Sequence, residues 1–596
     1  AGPIFIGSAG LVAGGATDPN FPPFVNPASQ RDAAAIRLLG GTKANAIDND
    51  GVIQTLGQYA ILADPYITGS PYPYASTTVT NRGTGTIIGD IDLGDDSGSV
   101  VNNLPGGVLD TPTTLNVGGG TVTNAGTFEV GGANAIGMTV LNGNYVQTST
   151  GVLRLDLDPV GHRADLLDVT GTVSLAGSVM VAPMSLLKGS STVLTAAGGI
   201  QPGSSLTGNS TLIYAFTPLI QANSVAIATD ANFVGPSDGS AAHQSAAAYL
   251  QRLWDSGNPA FASIFEGFLD VGNATNYAQT LTAVSGGELL GVAAARYQAS
   301  QIFARSAFSC PVFVDDTTFR QQDSCVWART TYMGDNRSAE SDFPGFAWQG
   351  TTVKFGGQAE VQPGLFLGGA VGYEIDHFTT DNGLASGNGS AVLAVGAVKR
   401  ELGPWTLTGA VDAGIGWVDS ARKIPITGAV ANASSDSFNV GLHARAAYQI
   451  PFAHFYLEPA LDGDLNDINL PSYTESGAGA FDLRVKAAND VIATGTPNLR
   501  VGTRLQLGST AVDAYVGAGV SFISGNTYTT NAQFADVPAA FGGFTNTLTN
   551  ASVAGKLIAG LELFTTSHLD LRLEYDGLFA RHQTENGGQV RLSYRF

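Results

Sequence analysis

Charge is scarce in this sequence: Asp, Glu, Lys and Arg make up 13% of its 596 residues, roughly half the usual share. Mean hydropathy is slightly positive at +0.12, yet no uninterrupted apolar run is long enough to cross a bilayer as a helix. The opening stretch AGPIFIGSAG lacks the basic start and long apolar centre of a secretion signal, so the sequence reads as a mature or trimmed chain. Net charge is −21 and no stripe of Lys and Arg occurs, which argues against binding to nucleic-acid phosphates. Before residue 241 there are 7 basic and 17 acidic residues, so anionic surfaces would be repelled. Cysteine is limited to 2, and the first 240 residues hold no Cys and one His, His162, read as a loop residue in DPVGHRAD. No His-Glu-x-x-His pair is present, so a zinc mechanism of that kind lacks its parts. A non-enzymatic chain without catalytic, cofactor or metal residues is the expectation.

What is abundant is glycine, 77 residues, set among Thr, Val, Asn and Ala in short strand-like pieces before residue 240. VTNRGTG at Asn81, VVNNLPGG at Asn103 and VTNAGTF at Asn124 repeat a Val/Thr-Asn-Gly turn at spacings of 22 and 21 residues. That is the rung length of a β-solenoid, in which each rung supplies its neighbour's missing core. A β-sandwich of hairpins is the competing reading. Gly143–Pro183 alternates more regularly and reads as the best-packed part of this half. The carboxylates Asp90, Asp92, Asp95 and Asp96 read as a solvated turn, because their spacing does not match an ordered calcium loop.

At 596 residues the chain is too long for one core, and its texture changes at about residue 240. Ala241–Phe308 is rich in helix formers. Its second stretch, GGELLGVAAARYQASQIFARSAF, is Ala-rich and short of large apolar residues on any face, which suits a narrow, wet enclosure better than a bundle core.

Beyond Cys325 the period becomes two. In PWTLTGAVDAGIGWV the odd positions Trp405, Leu407, Val411, Ala413, Ile415 and Trp417 are apolar, against Thr406, Thr408, Asp412, Gly414 and Gly416. LDLRLEYDGLF and the terminal Val590, Leu592, Tyr594 and Phe596 repeat the pattern. Charge on the inner face would be costly in a dry sandwich core, whereas a water-filled lumen tolerates it. Lipid outside and water inside is the alternation of an outer-membrane barrel. The twelve-residue step from Trp405 to Trp417, tilted by about 40° at roughly 3.3 Å per residue, rises close to 30 Å, so the two rings mark the two membrane interfaces. Turn signals at 362, 401, 450, 507 and 565 give short connections. Polar stretches at 336–345, 378–390, 419–433, 465–495, 524–550 and 583–588 give long ones, for twelve strands in all.

A repetitive first half, a helix-rich junction, a twelve-stranded barrel and a terminal Phe resemble the type Va autotransporters. The segment from CVWARTT to AVGY, with Trp327, Gly356-Gly357 and Gly368, looks like the first three strands of their barrel domain. FYLEPALDGD is similar to the family's mid-barrel Leu-Glu-Pro strand, and LSYRF to its assembly-signal strand, here Val590, Leu592, Tyr594 and Phe596. GNYVQTSTGVLRLDLD with DLLDVTGTVSLAGSV resembles the pertactin-like end of a passenger.

The resemblance implies an all-β protein. Its expected parts are a right-handed β-helix-like passenger at 1–139, a pertactin-like end at 140–235, a helical linker with pore helix at 236–308 and a twelve-stranded transmembrane β-barrel at 309–596. It also implies the outer membrane of a Gram-negative bacterium, with the passenger at the cell surface as an adhesin or interaction module. A remnant of a longer, enzyme-carrying autotransporter is the alternative, and a porin a weaker one that a lumen helix disfavours. Expected partners are outer-membrane lipid, the barrel-assembly machinery, periplasmic chaperones and an unidentified extracellular ligand, with no nucleic acid and a monomeric barrel. Trp405, Trp417 and Tyr594 are the expected interface aromatics. In an exported chain, Cys310 and Cys325 read as a disulfide closing a 16-residue loop, for a nominal ~3 kcal/mol, against two free thiols as the alternative. Family members that release their passenger do so at a tandem Asn in the pore helix. Here only Asn273-Ala274-Thr275-Asn276 stands near, so the passenger is expected to stay attached.

Overall fold

The computed structural model describes residues 3–14, 34–39, 43–64, 66–67, 70–71, 74–287, 290–291, 297, 300–301, 303–304, 310–315, 317–340, 343–508, 510–564 and 568–596. The chain forms two compact units, one of residues 1–236 with 251–272 and one of residues 237–250 with 273–596.

In the first unit the repeat seen in the sequence becomes a stack of parallel strands. Thr77–Asn81, Val100–Asn103, Thr114–Asn124 and Met138–Gln147 pair in succession, with Asn81, Asn103, Asn124 and Gln147 in register. A second wall stacks Thr86–Asp92, Val108–Thr111, Thr127–Val130, Val152–Asp158 and Ser178–Pro183, again parallel. Between the walls Val79, Val101, Val122, Ile87, Leu109 and Phe128 are fully buried, like residue over like residue. Parallel pairing with the neighbouring rung decides for the solenoid over a sandwich of hairpins. The stack runs through the expected boundary at 139/140 without a break. It gives way to antiparallel strands at Gly189–Ala196, Tyr214–Ile220 and Ser224–Ala231, where Tyr214, Phe233, Trp254, Phe265 and Phe268 form an aromatic cluster.

The expected helical linker contains α1 (Ala241–Asp255) and α2 (Ala274–Ser285). Asn273 caps α2 by accepting from Asn276 N at 2.9 Å, and Gly286, at φ 67°, ends it in the left-handed conformation that glycine adopts freely.

The second unit is built on twelve long antiparallel strands: β1 (Cys325–Arg337), β2 (Phe346–Gln362), β3 (Leu365–Thr380), β4 (Ala385–Leu402), β5 (Trp405–Ile424), β6 (Ala429–Tyr448), β7 (Tyr456–Leu470), β8 (Ala488–Leu507), β9 (Thr510–Ser524), β10 (Val553–Phe564), β11 (Leu569–Ala580) and β12 (Gln583–Arg595). Each pairs with the next, and β1 pairs with β12 from Cys325↔Arg595 to Arg337↔Gln583, so the sheet closes into a barrel with no free edge. Pro363-Gly364 and Gly403-Pro404 are short turns at the end where β1 begins and β12 finishes.

At the other end, the two longest connections fold into a four-stranded sheet of Tyr473–Thr474, Leu483–Val485, Thr527–Phe534 and Phe544–Thr549. Three expected loops are corrected here. The ladder continues through 378–390, 419–433 and 583–588, and the chain turns only at 381–384, 425–428 and 581–582. Strands that project past the apolar band have water on both faces, so their polarity does not mark their ends.

Candidate translocation site in the barrel lumen

Alternation along each strand sorts the wall into two chemistries. On β5, Trp405, Leu407, Val411, Ile415 and Trp417 face outward, both Trp residues 46% exposed, while Thr408, Asp412 and Arg422 are buried inside. On β12, Val590, Leu592, Tyr594 and the following Phe596 are exposed, and Arg591, Ser593 and Arg595 face inward. Trp405 lies near the short-turn end with its ring 4.9 Å from that of Tyr448.

The inner wall is held by ion pairs. Glu562 on β10 accepts from Arg572 at 2.5 Å and from Arg591, joining three neighbouring strands. Arg595 meets Asp570 at 2.9 Å, and Glu458, in the Leu-Glu-Pro strand, meets Arg445 at 3.3 Å. Two tyrosines lie flat over inward glycines of the next strand, Tyr456 over Gly502 and Tyr515 over Gly560. A Cβ on either glycine would stand 2.3 Å from the ring. Trp327 occupies Gly356 in the same way, at 2.5 Å, which gives the Gly356-Gly357 pair its physical reason.

The expected pore helix falls partly outside the described residues. Those described within it, Leu290, Gly291, Tyr297, Ser300, Gln301, Phe303 and Ala304, are helical and buried. Their partners lie on the barrel wall. Leu290 and Tyr297 pack with Phe346, Trp348, Phe378 and Ile468. Tyr297 shares a hydrogen bond with Thr494, and Gln301 donates to the Tyr297 hydroxyl at 2.5 Å. Ser300 donates to Asp412 at 2.9 Å and to Asn466 at 3.0 Å. Asp412 in turn contacts His443 at 2.6 Å, whose other ring nitrogen is 2.7 Å from Asp464. Phe303 lies 5.4 Å from the Lys354 ammonium, a cation–π contact. A small-residue helix with polar side chains matched to a polar wall is what a filled but hydrated lumen requires.

The preceding helix, α2, is anchored at the long-loop end. Arg422, fully buried, forms an ion pair with Glu475 at the long-loop side and donates to the carbonyls of Ala283 near the end of α2 and Phe481 at 2.9 Å. Nearby, His243 on α1 bridges Asp238, at 2.9 Å, and Thr282 on α2, at 2.8 Å.

Cys310 and Cys325 are joined by a disulfide. Between them the sequence reading saw only a loop, whereas the chain forms a hairpin, Pro311–Phe313 against Arg320–Gln322. Arg320 points into the lumen, paired with Glu458 and, at 3.1 Å, with Asp513. The only local signal for it was a lone Arg in FRQQ, which nothing in periodicity distinguishes from a surface charge. The Asp412–His443–Asp464 cluster was missed for the same reason, since its members come from three strands.

Residues 326–576 match the autotransporter β-domain family. This region is an autotransporter β-domain. The β-domain places the chain in the outer membrane, where its apolar outer wall meets lipid. No curated protein matches the sequence. Among solved structures, the chain is similar to the translocator domain of the autotransporter NalP from Neisseria meningitidis, at 15% identity and a TM-score of 0.41 over 53% of this chain and 100% of that one. It is also similar to the β-domain of the Bordetella autotransporter BrkA, at 16% identity and 0.36 over 46% and 100%. The transport unit of AIDA-I from Escherichia coli matches at 12% identity and 0.34 over 53% and 99%.

Proposed function

We propose that this β-domain exports the first half of the chain and holds it at the cell surface, where the parallel stack serves as an adhesive or other interaction surface rather than as an enzyme. The observation that carries this reading is the order of parts along one chain. A ladder-stabilised stack is followed by helical residues buried in the lumen of a closed barrel. A stack of rungs offers a long repeated face to a partner, and the reading assigns it no reaction. Insertion calls on the barrel-assembly machinery and periplasmic chaperones, with the outward face of β12 as the assembly signal and a single chain per barrel.

The passenger stays attached. Asn273 and Asn276 are engaged in capping α2, and no tandem Asn stands in the lumen helix. Protease shaving of intact cells expressing the chain behind a signal peptide tests the whole reading. Digestion of the part before about residue 240, with a heat-modifiable fragment from Cys325 to Phe596 surviving in the outer membrane, supports it. Protection of both halves, or solubility of both, overturns display, and free passenger from a protease-deficient host overturns retention.

A further inference from the structure

The described residues of the lumen helix bond to one part of the barrel wall, through Lys354, Phe378, Asp412, Asn466 and Thr494. Beside another part lies a cavity of about 160 Å³ with a strongly charged lining that includes Arg445, Glu458, Arg500, Arg572 and Glu574. No described residue of the helix lines this chamber, but Pro311, Arg320 and Gln322 of the hairpin do.

The hairpin reaches strands all round the short-turn mouth. Arg320 N donates to Gln449 Oε1 at 3.0 Å, and Thr318 donates to the Phe452 carbonyl at 2.7 Å, both beside the β6–β7 turn. Gln322 N donates to Glu401 at the end of β4 at 2.9 Å, and Gln358 on β2 donates to the Asp323 carbonyl at 2.8 Å. Phe313 meets Phe564 at the end of β10 edge to face, with 5.6 Å between ring centroids. Arg320 spans the centre, to Glu458 on β7 and Asp513 on β9.

We propose that the disulfide-closed hairpin Cys310–Cys325 is a second plug, which closes the short-turn mouth over this chamber. Its base is tied to β1 by the disulfide, and its tip is bolted to the opposite wall by Arg320. Segment 310–325 must lie aside while a passenger threads the barrel, and it closes once Arg320 finds its two carboxylates. Export leaves the outer membrane with an empty pore unless something fills it, and the hairpin provides that closure independently of what the passenger binds.

The test reads access to the chamber in the full chain. Thr408 lines the cavity and has no role in the ion network. Thr408→Cys is introduced, and its modification by a cationic methanethiosulfonate reagent is followed by mass in detergent-solubilised protein. The same measurement is made with Arg320→Ser, and separately with Cys310→Ser and Cys325→Ser together, keeping only preparations whose barrels remain heat-modifiable. The plug predicts slow labelling in the parent and a rate about tenfold or more higher in both variants, because a closed state resting on a buried charge pair loses at least that factor when one partner goes. Equal rates in all three proteins, whether fast or slow, overturn it. Should Arg320→Ser fail to fold, the cysteine pair decides alone, since it frees the hairpin's base and leaves the lumen charges untouched.

Discussion

Asn81 donates from Nδ2 to Oδ1 of Asn103 at 2.8 Å, twenty-two residues on, and Asn103 repeats the bond to Asn124 at the same distance. Asn49 begins the chain by donating to Asn81, again at 2.8 Å. Each amide also reaches turn carbonyls, Asn103 those of Gly107 and Thr127. All four side chains are fully buried, so the ladder satisfies the polar turns that a narrow stack would otherwise leave dry. Asn103→Ala removes the side-chain donor to Asn124 Oδ1 and leaves Asn81 Nδ2 only the carbonyls of Gly85 and Val108, so it is expected to cost about 1–3 kcal/mol. Faster proteolysis of the passenger in the folded chain, with the barrel's heat-modifiability unchanged, is the measurement that checks it.

This ladder shows what was legible beforehand. The Asn spacing is written in the sequence because stacking repeats one local solution every rung, and the barrel is legible because a two-residue period survives over twelve strands. The hairpin plug and the Asp412–His443–Asp464 cluster were not, since closure and lumen filling join residues with no common period. Strand ends were also misread where the ladder outruns the apolar band, because the pattern reports lipid and not hydrogen bonding.

Tyr515 and Gly560 give a steric prediction. The Tyr515 ring covers Gly560 so closely that any side chain there must displace it, and with it the Tyr515 hydroxyl's bond to Glu574. Gly560→Val is therefore expected to abolish the heat-modifiable barrel, while Gly555→Val on the same strand, where a Cβ would have 3.7 Å of clearance, retains it.

A pH dependence is expected in the passenger. Asp165 is buried and accepts from Gly137 N at 2.8 Å and Asp156 N at 2.6 Å. Burial pushes its carboxyl up to about 7, and the nearby carboxylates of Asp156 and Glu129 add to the rise. With an unfolded value near 3.9, the folded state binds more protons between roughly pH 4 and 7. Stability from this group is thus present at low pH and lost as pH rises through about 7. Proteolytic resistance of the passenger should increase from pH 8 to pH 5, and Asp165→Asn should flatten that slope.

Arg422 predicts an asymmetry between breaking and replacing a buried pair. Arg422→Ala leaves Glu475 charged and buried and removes the donors to Ala283 and Phe481, so a loss of about 3–5 kcal/mol is expected. Pairing Arg422→Met with Glu475→Gln should recover part of that loss, read as the temperature at which the barrel loses its fast-migrating form.

The two faces of β5 make the sharpest test of membrane position. Val411 is midway between the outward Trp405 and Trp417, and it is exposed on the lipid face. Asp419 points the same way two residues beyond Trp417, where its carboxylate accepts from Ser434 at 2.5 Å. If the Trp rings mark the interfaces, Val411→Arg places a charge at the bilayer midplane and costs roughly 2–4 kcal/mol, whereas Asp419→Arg sits in water and costs about 1 kcal/mol or less. Folding into phospholipid vesicles, followed by gel mobility, separates the two. Equal costs would mean that the apolar band is displaced along the strand, and with it the height at which the helix and hairpin close the lumen.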